Sequence, residues 1–137
     1  MRYLKKDNLI ALAYERFIDE STGDFQDTID LIELQNIEII KGYIGSLYDV
    51  ELIFHETEPI HHGMIIRILS QLVMYDIIRR NAARKVPEDY KEQYEKAMAL
   101  LEKIAFGKFE IKDLPKPSTE ERDHELWGNI SNPNFYI

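Results

Sequence analysis

The chain has 137 residues, of which 45% are hydrophobic and 31% are charged, and its formal net charge is −8 at pH 7. This length and composition predict one globular domain that buries a core without disulfide or metal support. The acidic balance argues against a protein that coats nucleic acid, because phosphate binding needs clustered positive charge. The lack of cysteine excludes disulfides and thiolate chemistry and fits a reducing compartment.

The sequence predicts neither a secretory signal nor a membrane span. Near the start, Glu15 and Arg16 interrupt the apolar run, and no small-residue cleavage site follows. The longest apolar stretch carries Arg67, Gln71 and Asp76, which a membrane-crossing helix would have to bury in lipid. We therefore expect no membrane partner.

The spacing of apolar residues predicts two helices in the first part of the chain. The first covers about 7–18, and the second begins near Asp27 and continues to about Leu47, with a polar loop between them. Gly42 and Gly45 lie three residues apart on one face near the end of the second helix. There they could end the helix or let a neighbour approach closely.

The middle of the chain predicts a loop followed by the central helix of the fold. Residues 50–58 alternate between apolar and polar over too short a span for a strand, so we interpret them as a loop that crosses the bundle. Glu58 and Pro59 then begin the most apolar helix, which continues to about Arg80. Its narrow polar strip consists of Gly63, Arg67, Ser70 and Gln71. A helix this apolar must be surrounded by other helices.

Proline and glycine signals define the last helix and the tail. Pro87 starts a helix with an acidic first turn, and Gly107 ends it. From Lys108 onward the chain has three prolines and no sustained period, which favours an extended tail. The sequence therefore predicts an all-α fold, with a four-helix bundle-like domain over 1–111 and an extended C-terminal arm over 112–137.

Asp76 is the unusual residue of the central helix, because a helical spacing of about 100° per residue points it into the apolar side. A buried charge needs a partner, so we interpret Asp76 as a buried structural carboxylate, with a catalytic acid as the alternative. Its candidate partners are Arg79, Arg80, Tyr14, Tyr43 and Tyr48.

A group of histidines and glutamates precedes the central helix. These residues are His55, His61, His62, Glu51, Glu56 and Glu58. They suit a metal by type, but adjacent histidines at a helix start point about 100° apart and no H-x-x-x-H pair occurs. We therefore predict a solvated loop without metal or cofactor. Ser46 and Ser70 have no base nearby in sequence, and no nucleophile elbow occurs, so we predict no catalytic residue and no enzyme.

Two stretches are candidate interfaces. A basic cluster at the end of the central helix comprises Arg79, Arg80, Arg84 and Lys85. It could bind DNA phosphates or another protein, or be a solvated helix end that is favourable against the helix dipole. The arm ends in the apolar and aromatic residues Trp127, Phe135, Tyr136 and Ile137. These could fold back onto the bundle or dock onto a neighbouring subunit, for example by adding to a sheet edge.

Four segments resemble motifs of one known family. Tyr3 with 7–10 (DNLI) looks like an opening Y-x-x-x-D-L-I, and 39–44 (IIKGYI) is similar to I-D-G-Y-L at the end of a second helix. Residues 72–80 (LVMYDIIRR) are similar to D-I-A-x-Y-x-L-x-x-R. The most specific segment, 87–108, looks like P-x-x-x-x-x-R-Y-E-x-A-x-x-x-L-x-x-I-A-x-G-K. The chain thus resembles the small helical head–tail connector (head-completion or adaptor) proteins of tailed bacteriophages and prophages, in particular the Mu-like branch.

This resemblance, which covers about 1–111, implies a structural virion protein. Subunits of such connectors assemble as a homo-oligomeric ring on the portal protein, extend the DNA channel toward the tail, and contact tail or stopper proteins. DNA would pass through without specific binding, and an acidic lumen is compatible with that role. The implied location is the head–tail junction of the virion, with the host cytoplasm as the place of assembly.

The chain departs from the family pattern at two places. The loop 19–27 (DESTGDFQD) lacks the alternate acidic positions of the calcium loop found in some relatives, so no calcium site is carried over. Lys41 stands where relatives often have an acid. Two alternatives to the connector stay open. One is a non-catalytic intracellular helical module that binds a partner through its C-terminal arm, and the other is a small metal-dependent enzyme that uses His55, His61 and His62.

Overall fold

The computed structural model describes residues 1–12, 26–80 and 86–117. Within these ranges lie the helices α1 (Lys6–Ile10), α2 (Gln26–Ile44), α3 (Val50–Ile53), α4 (Gly63–Arg79) and α5 (Glu88–Ala105). The three described ranges contain no strand. The prediction of an all-α, bundle-like fold is therefore confirmed, with α2, α4 and α5 as its long helices.

Helix α4 lies at the centre of the bundle. It packs against α1, α2 and α5, and α2 and α5 also contact each other. Ten of its 17 residues are buried, among them Ile65, Leu69 and Leu72, which are completely enclosed. Each such side chain stabilises the fold by about 1.5–3 kcal/mol relative to an exposed one. The packing thus agrees with the central position predicted for this helix.

The polar strip predicted on α4 is narrower in the structure. Arg67 is exposed as expected, but Ser70 and Gln71 are buried. The Ser70 hydroxyl oxygen has no hydrogen-bond partner within the described residues. Neighbouring elements therefore bury more of the α4 surface than the pattern of apolar residues in its sequence predicts. Although α4 is so apolar, no described helix is both long and apolar enough to cross a membrane.

Helix α4 begins at Gly63, so the prediction that Glu58 and Pro59 begin it is wrong. His62 is the N-cap, and its Nδ1 accepts the backbone N–H of Met64 at 3.1 Å. Histidine is not among the preferred N-cap residues, whereas proline is common in a first helical turn. Pro59 was therefore the stronger sequence signal for a helix start, although the hydrogen bond that the His62 side chain accepts determines where α4 begins.

The stretch 50–58 is not entirely a loop. Val50–Ile53 forms the one-turn helix α3, whose N-cap Asp49 accepts the backbone N–H of Leu52 at 3.2 Å. The buried ring of Phe54 follows directly and anchors the turn to the core. The prediction of a loop is wrong for the first four residues, and the rest of the stretch forms turns and bends.

Helix α5 starts and stops where the sequence predicts. Pro87 is its N-cap, and Gly107 lies beyond its end with a φ of 75°, a left-handed conformation that favours glycine. The Gly107 N–H donates to the Ile104 carbonyl at 3.0 Å, and the Lys108 N–H donates to the Lys103 carbonyl at 2.8 Å. This pair of bonds is a Schellman motif, which satisfies carbonyls at the helix end.

The segment 108–117, here called the strap, returns along the bundle. Ile111 is buried, and its N–H donates to the Tyr48 hydroxyl at 2.8 Å. The Pro115 carbonyl accepts the N–H of Asp49 at 2.8 Å. The strap thus continues the packed domain past the boundary at 111 drawn from the sequence. A separate arm over the later residues, which lie outside the described part of the chain, stays a prediction.

Candidate functional site

Asp76 lies where α4 meets α2 and keeps some contact with solvent. Its side chain is 25% exposed, so it is half-buried and not enclosed as the sequence suggested. Its Oδ2 accepts a hydrogen bond from the Asn36 amide at 2.8 Å, and its Oδ1 accepts one from the Arg79 guanidinium at 3.5 Å. The Asn36 amide also donates to the Ile32 carbonyl at 2.9 Å. Arg79 was among the expected partners, whereas Asn36 was not.

The described members of the basic cluster, Arg79 and Arg80, are exposed at the end of α4. The Arg79 guanidinium lies 5.8 Å from the centre of the Tyr75 ring, which stacks on Tyr94 of α5 at 4.1 Å. This cation–π contact orients Arg79 along the α4–α5 side of the bundle. Its charge is therefore presented to solvent from a defined position.

The other predicted interface residues lie outside the described part of the chain. These are Arg84, Lys85, Trp127, Phe135, Tyr136 and Ile137. Tyr14, a predicted partner of Asp76, also lies outside it. Their contribution to an interface stays a prediction.

Glu33 of α2 is completely buried. Its carboxylate accepts the backbone N–H groups of three consecutive residues, Arg2, Tyr3 and Leu4, with the bond from Leu4 at 2.6 Å and the shorter of two from Tyr3 at 3.1 Å. Hydrogen bonds to an ionised carboxylate are stronger than those between neutral groups. Glu33 therefore fastens the segment 1–5 to α2.

Sequence reasoning missed Glu33, although a signal for it existed. Glu33 lies one turn from Ile29 and one turn from Ile37, both of which are buried. It is thus a charged residue within the apolar side of its helix. The argument that singled out Asp76 on α4 would have found it on α2.

Tyr3 connects the start of the chain to the start of α4. Its ring centre lies 5.0 Å from that of Phe54 and 4.9 Å from that of His61. Its hydroxyl donates to the Ile60 carbonyl and accepts the backbone N–H of His62 at 3.3 Å. Burial raises the pKa of the Tyr3 hydroxyl above its ordinary value, and the hydrogen bond from His62 offsets part of that rise.

His62 connects the start of α4 to the strap. Its Nδ1 accepts the helix-capping hydrogen bond from Met64, so the ring proton of the neutral imidazole lies on Nε2. That Nε2 lies 3.0 Å from the Lys112 carbonyl, to which it donates. One side chain thus caps a helix and holds a segment that follows it by 50 residues in sequence.

The other two histidines of the possible metal group also contact the backbone. The Nδ1 of His55 accepts the N–H groups of Thr57 at 3.2 Å and Glu58 at 3.1 Å. The Nε2 of His61 lies 3.1 Å from the Tyr3 carbonyl. Across 1–12, 26–80 and 86–117, no three histidine, aspartate or glutamate side chains are arranged to hold a metal ion. The structure thus does not bring the residues of the alternative metal site together.

The outer side of α2 carries exposed apolar residues, here called the α2 strip. It consists of Leu31, Leu34, Ile39 and Gly42, and Leu31 is 55% exposed. At about 100° per residue, the four positions lie on one side of the helix, opposite the buried isoleucines. A Cβ added to Gly42 would meet no atom within 4 Å, so packing inside the described chain does not require glycine there.

A second exposed apolar surface, the end patch, lies where α2 and α5 end. It consists of Leu47, Phe106 and Phe109, and Phe106 is 76% exposed. Beside it is a hollow of about 250 Å³, lined by Leu47, Phe109 and other residues of the α2 end, the α5 end and the strap. Large exposed apolar surfaces on a small protein commonly mark sites that bind another protein.

The described residues thus form an all-helical fold that exposes two apolar surfaces. A family model described as Bacteriophage Mu, Gp36 matches residues 3–126, which is most of the chain and includes the strap. The chain therefore belongs to this family of bacteriophage proteins, and membership indicates a structural or assembly role in the virion or the host cell. Comparisons with curated proteins and with solved structures gave no match.

Proposed function

We propose that the protein is a structural virion protein, a head–tail connector or adaptor subunit that assembles as a ring on the portal and extends the DNA channel toward the tail. The observation that carries this proposal is the match of residues 3–126 to the bacteriophage Mu Gp36 family. The resemblance of four segments to motifs of head–tail connector proteins supports the more specific role. We further propose that the protein acts by binding and not by catalysis.

Two physical features support a role in assembly. The α2 strip and the end patch expose leucine, isoleucine and phenylalanine side chains, whose burial against a partner is favourable by about 25 cal/mol per Å². The net charge of −8 is compatible with a channel wall along which DNA slides, because like charges repel the phosphates. In this proposal the DNA passes without specific binding.

Affinity capture tests the proposal. The tagged full chain is produced together with the portal and tail-completion proteins encoded beside it, and the captured proteins are identified by mass spectrometry. Recovery of the portal or a tail-completion subunit in a fixed ratio is expected. Capture of neither, with both partners present and soluble, contradicts the connector role.

The basic cluster provides a sharper form of this test. If Arg79 and Arg80 face the portal, the variant Arg79→Glu/Arg80→Glu should recover about tenfold less portal, since close charge pairs at interfaces are worth more than 1.4 kcal/mol. Lys91→Glu/Lys96→Glu, on the exposed side of α5, is the matched control with the same change in charge. Equal recovery by the two variants would place the portal contact elsewhere on the surface.

A second candidate function is a helical binding module that captures a single partner other than the portal. The α2 strip and the end patch favour it as well, because an apolar surface does not by itself specify its partner. Capture of one host protein in fixed ratio, without the portal, would support this function over the connector.

A further inference from the structure

The α2 strip and the end patch lie at different places on the bundle. The strip follows the outer side of α2, whereas the end patch lies beyond the C-terminal ends of α2 and α5. At a rise of 1.5 Å per residue, the strip extends from Leu31, roughly 20 Å from the C-terminal end of α2, to Gly42, about 3 Å from that end. The part of the strip around Leu31 and Leu34 is therefore far enough from the end patch for one copy of the chain to use both surfaces at the same time.

The charges around the two surfaces differ in sign. Residues 26–40, which hold most of the strip, carry the acidic residues Asp27, Asp30 and Glu38 at exposed or half-buried positions and contain no basic residue. Residues 102–117, which hold most of the end patch, contain the four lysines Lys103, Lys108, Lys112 and Lys116 against three acidic residues. In a chain whose net charge is −8, the end patch is thus a place where an acidic surface can dock without strong repulsion.

The size of the hollow favours a protein side chain as its occupant. Its volume of about 250 Å³ is below the range of roughly 300–1,000 Å³ that is usual for small-molecule pockets. Its lining combines the apolar residues Leu47, Ile104 and Phe109 with Glu110 and Lys116 at 3.0 Å from each other. An apolar side chain flanked by charged residues fits such a site.

We propose that the α2 strip of one copy docks onto the end patch of the next copy, with an apolar side chain of the strip in the hollow. The contact joins two different surfaces, so it is heterologous, and its repetition produces a ring when the rotation closes. The inference rests on the proposed function in that a connector ring requires such a contact. It adds which surfaces meet and what holds them together.

Gly42 gives independent support for a close neighbour on the strip. Glycine in a helix interior is less stable than alanine, and Gly42 lies within α2 without a positive φ and without a crowding neighbour in the described chain. Neither backbone conformation nor internal packing therefore explains it. A second copy that approaches the α2 backbone at this position does.

Two charge variants of the full chain test the contact. The strip variant is Gln35→Lys/Glu38→Lys, and the patch variant is Lys108→Glu/Lys116→Glu, all at exposed positions. The control is Glu92→Lys/Glu95→Lys, a similar change of charge on the exposed side of α5. Association is measured by sedimentation velocity over a concentration series, and circular dichroism checks that each variant is folded.

The expected result is concentration-dependent association of the wild type and the control, and at least about tenfold weaker association of each test variant alone. An equimolar mixture of the two test variants should associate again, because each then offers a surface of opposite charge to the other. A mixture no stronger than either variant alone overturns the proposal. So does a patch variant that associates like the wild type, or a wild type that stays monomeric throughout.

The outcome can be separated from the fate of the proposed function. If portal capture succeeds while the mixed variants fail to associate, the connector role stands and this contact is wrong. If the mixed variants associate while no portal is captured, the contact stands and the connector role is wrong.

Discussion

Two carboxylates on facing helices, Glu33 on α2 and Asp76 on α4, have their charges compensated in different ways. Both lie within the apolar side of their helix, where a charge needs compensation. Glu33 is completely buried and accepts backbone N–H groups from three residues, whereas Asp76 is 25% exposed and relies on one amide and one guanidinium. The difference teaches that the depth of burial follows the number of donors that the fold can supply.

The largest effect is expected from Glu33→Gln, which is nearly isosteric. The amide retains one acceptor and turns donors toward the N–H groups of Tyr3 and Leu4, so buried donors lose their partners. The free energy of unfolding, measured by urea denaturation, should fall by about 3 kcal/mol. Glu38→Gln, the same change at an exposed position of α2, should cost less than about 0.5 kcal/mol. Equal stability of the two variants would contradict the comparison.

A smaller effect is expected from His62→Ala, which removes the side chain that joins the start of α4 to the strap. The variant loses the N-cap of α4 and the bond to the Lys112 carbonyl, and should lose about 1–2 kcal/mol of stability. His62→Asn should recover part of the loss, because asparagine caps helices well but does not reach as far as an imidazole Nε2. Hydrogen exchange at the Ile111 amide separates the two contributions, since faster exchange in both variants identifies a loosened strap.

The Asp76 site should be less sensitive. Asp76→Ala leaves the Asn36 amide its bond to the Ile32 carbonyl and leaves Arg79 in solvent, so the loss should be about 1 kcal/mol in the same denaturation assay. Arg79→Ala should cost less still, because exposed ion pairs contribute little. A loss at Asp76 as large as that at Glu33 would show that exposure and donor number do not explain the difference.

The smallest effect concerns alkaline pH. Because burial raises the pKa of Tyr3 in the folded state, the neutral hydroxyl is favoured there, and its contribution to stability is complete below the unfolded pKa of about 10. That contribution is lost as the pH rises through the folded pKa, since the unfolded chain releases the proton first. The stability difference between the wild type and Tyr3→Phe should therefore narrow above about pH 10. A difference that stays constant from pH 8 to 11 would contradict this assignment.

The sequence predicts those parts of the fold that local patterns determine. The apolar period identifies α4 as the central helix, and Pro87 and Gly107 mark both ends of α5. The start of α4 escaped prediction, because it depends on His62, whose position is fixed partly by Lys112 of the strap. Such a contact between distant residues leaves no periodic signal.

The candidate site was less predictable, for a related reason. The partners of Glu33 are backbone N–H groups about 30 residues earlier, and backbone groups carry no sequence signal. The α2 strip and the end patch depend on which apolar residues other elements leave uncovered, and the sequence shows only that they are apolar. The sequence did indicate that a neighbour could approach Gly42 closely. The structure leaves open space beside Gly42, which is consistent with that prediction.

The strap also affects the order in which the folded surface forms. Its hydrogen bonds to Tyr48 and His62 join residues that are 63 and 50 positions apart. Contacts at such separations are slow to form, because the chain must first close a long loop. Since Phe109, Glu110 and Lys116 of the strap line the hollow, the hollow forms only when the strap has docked. Under the contact proposed between copies, a chain whose strap has not docked would lack the hollow, so only fully folded subunits would join an assembly.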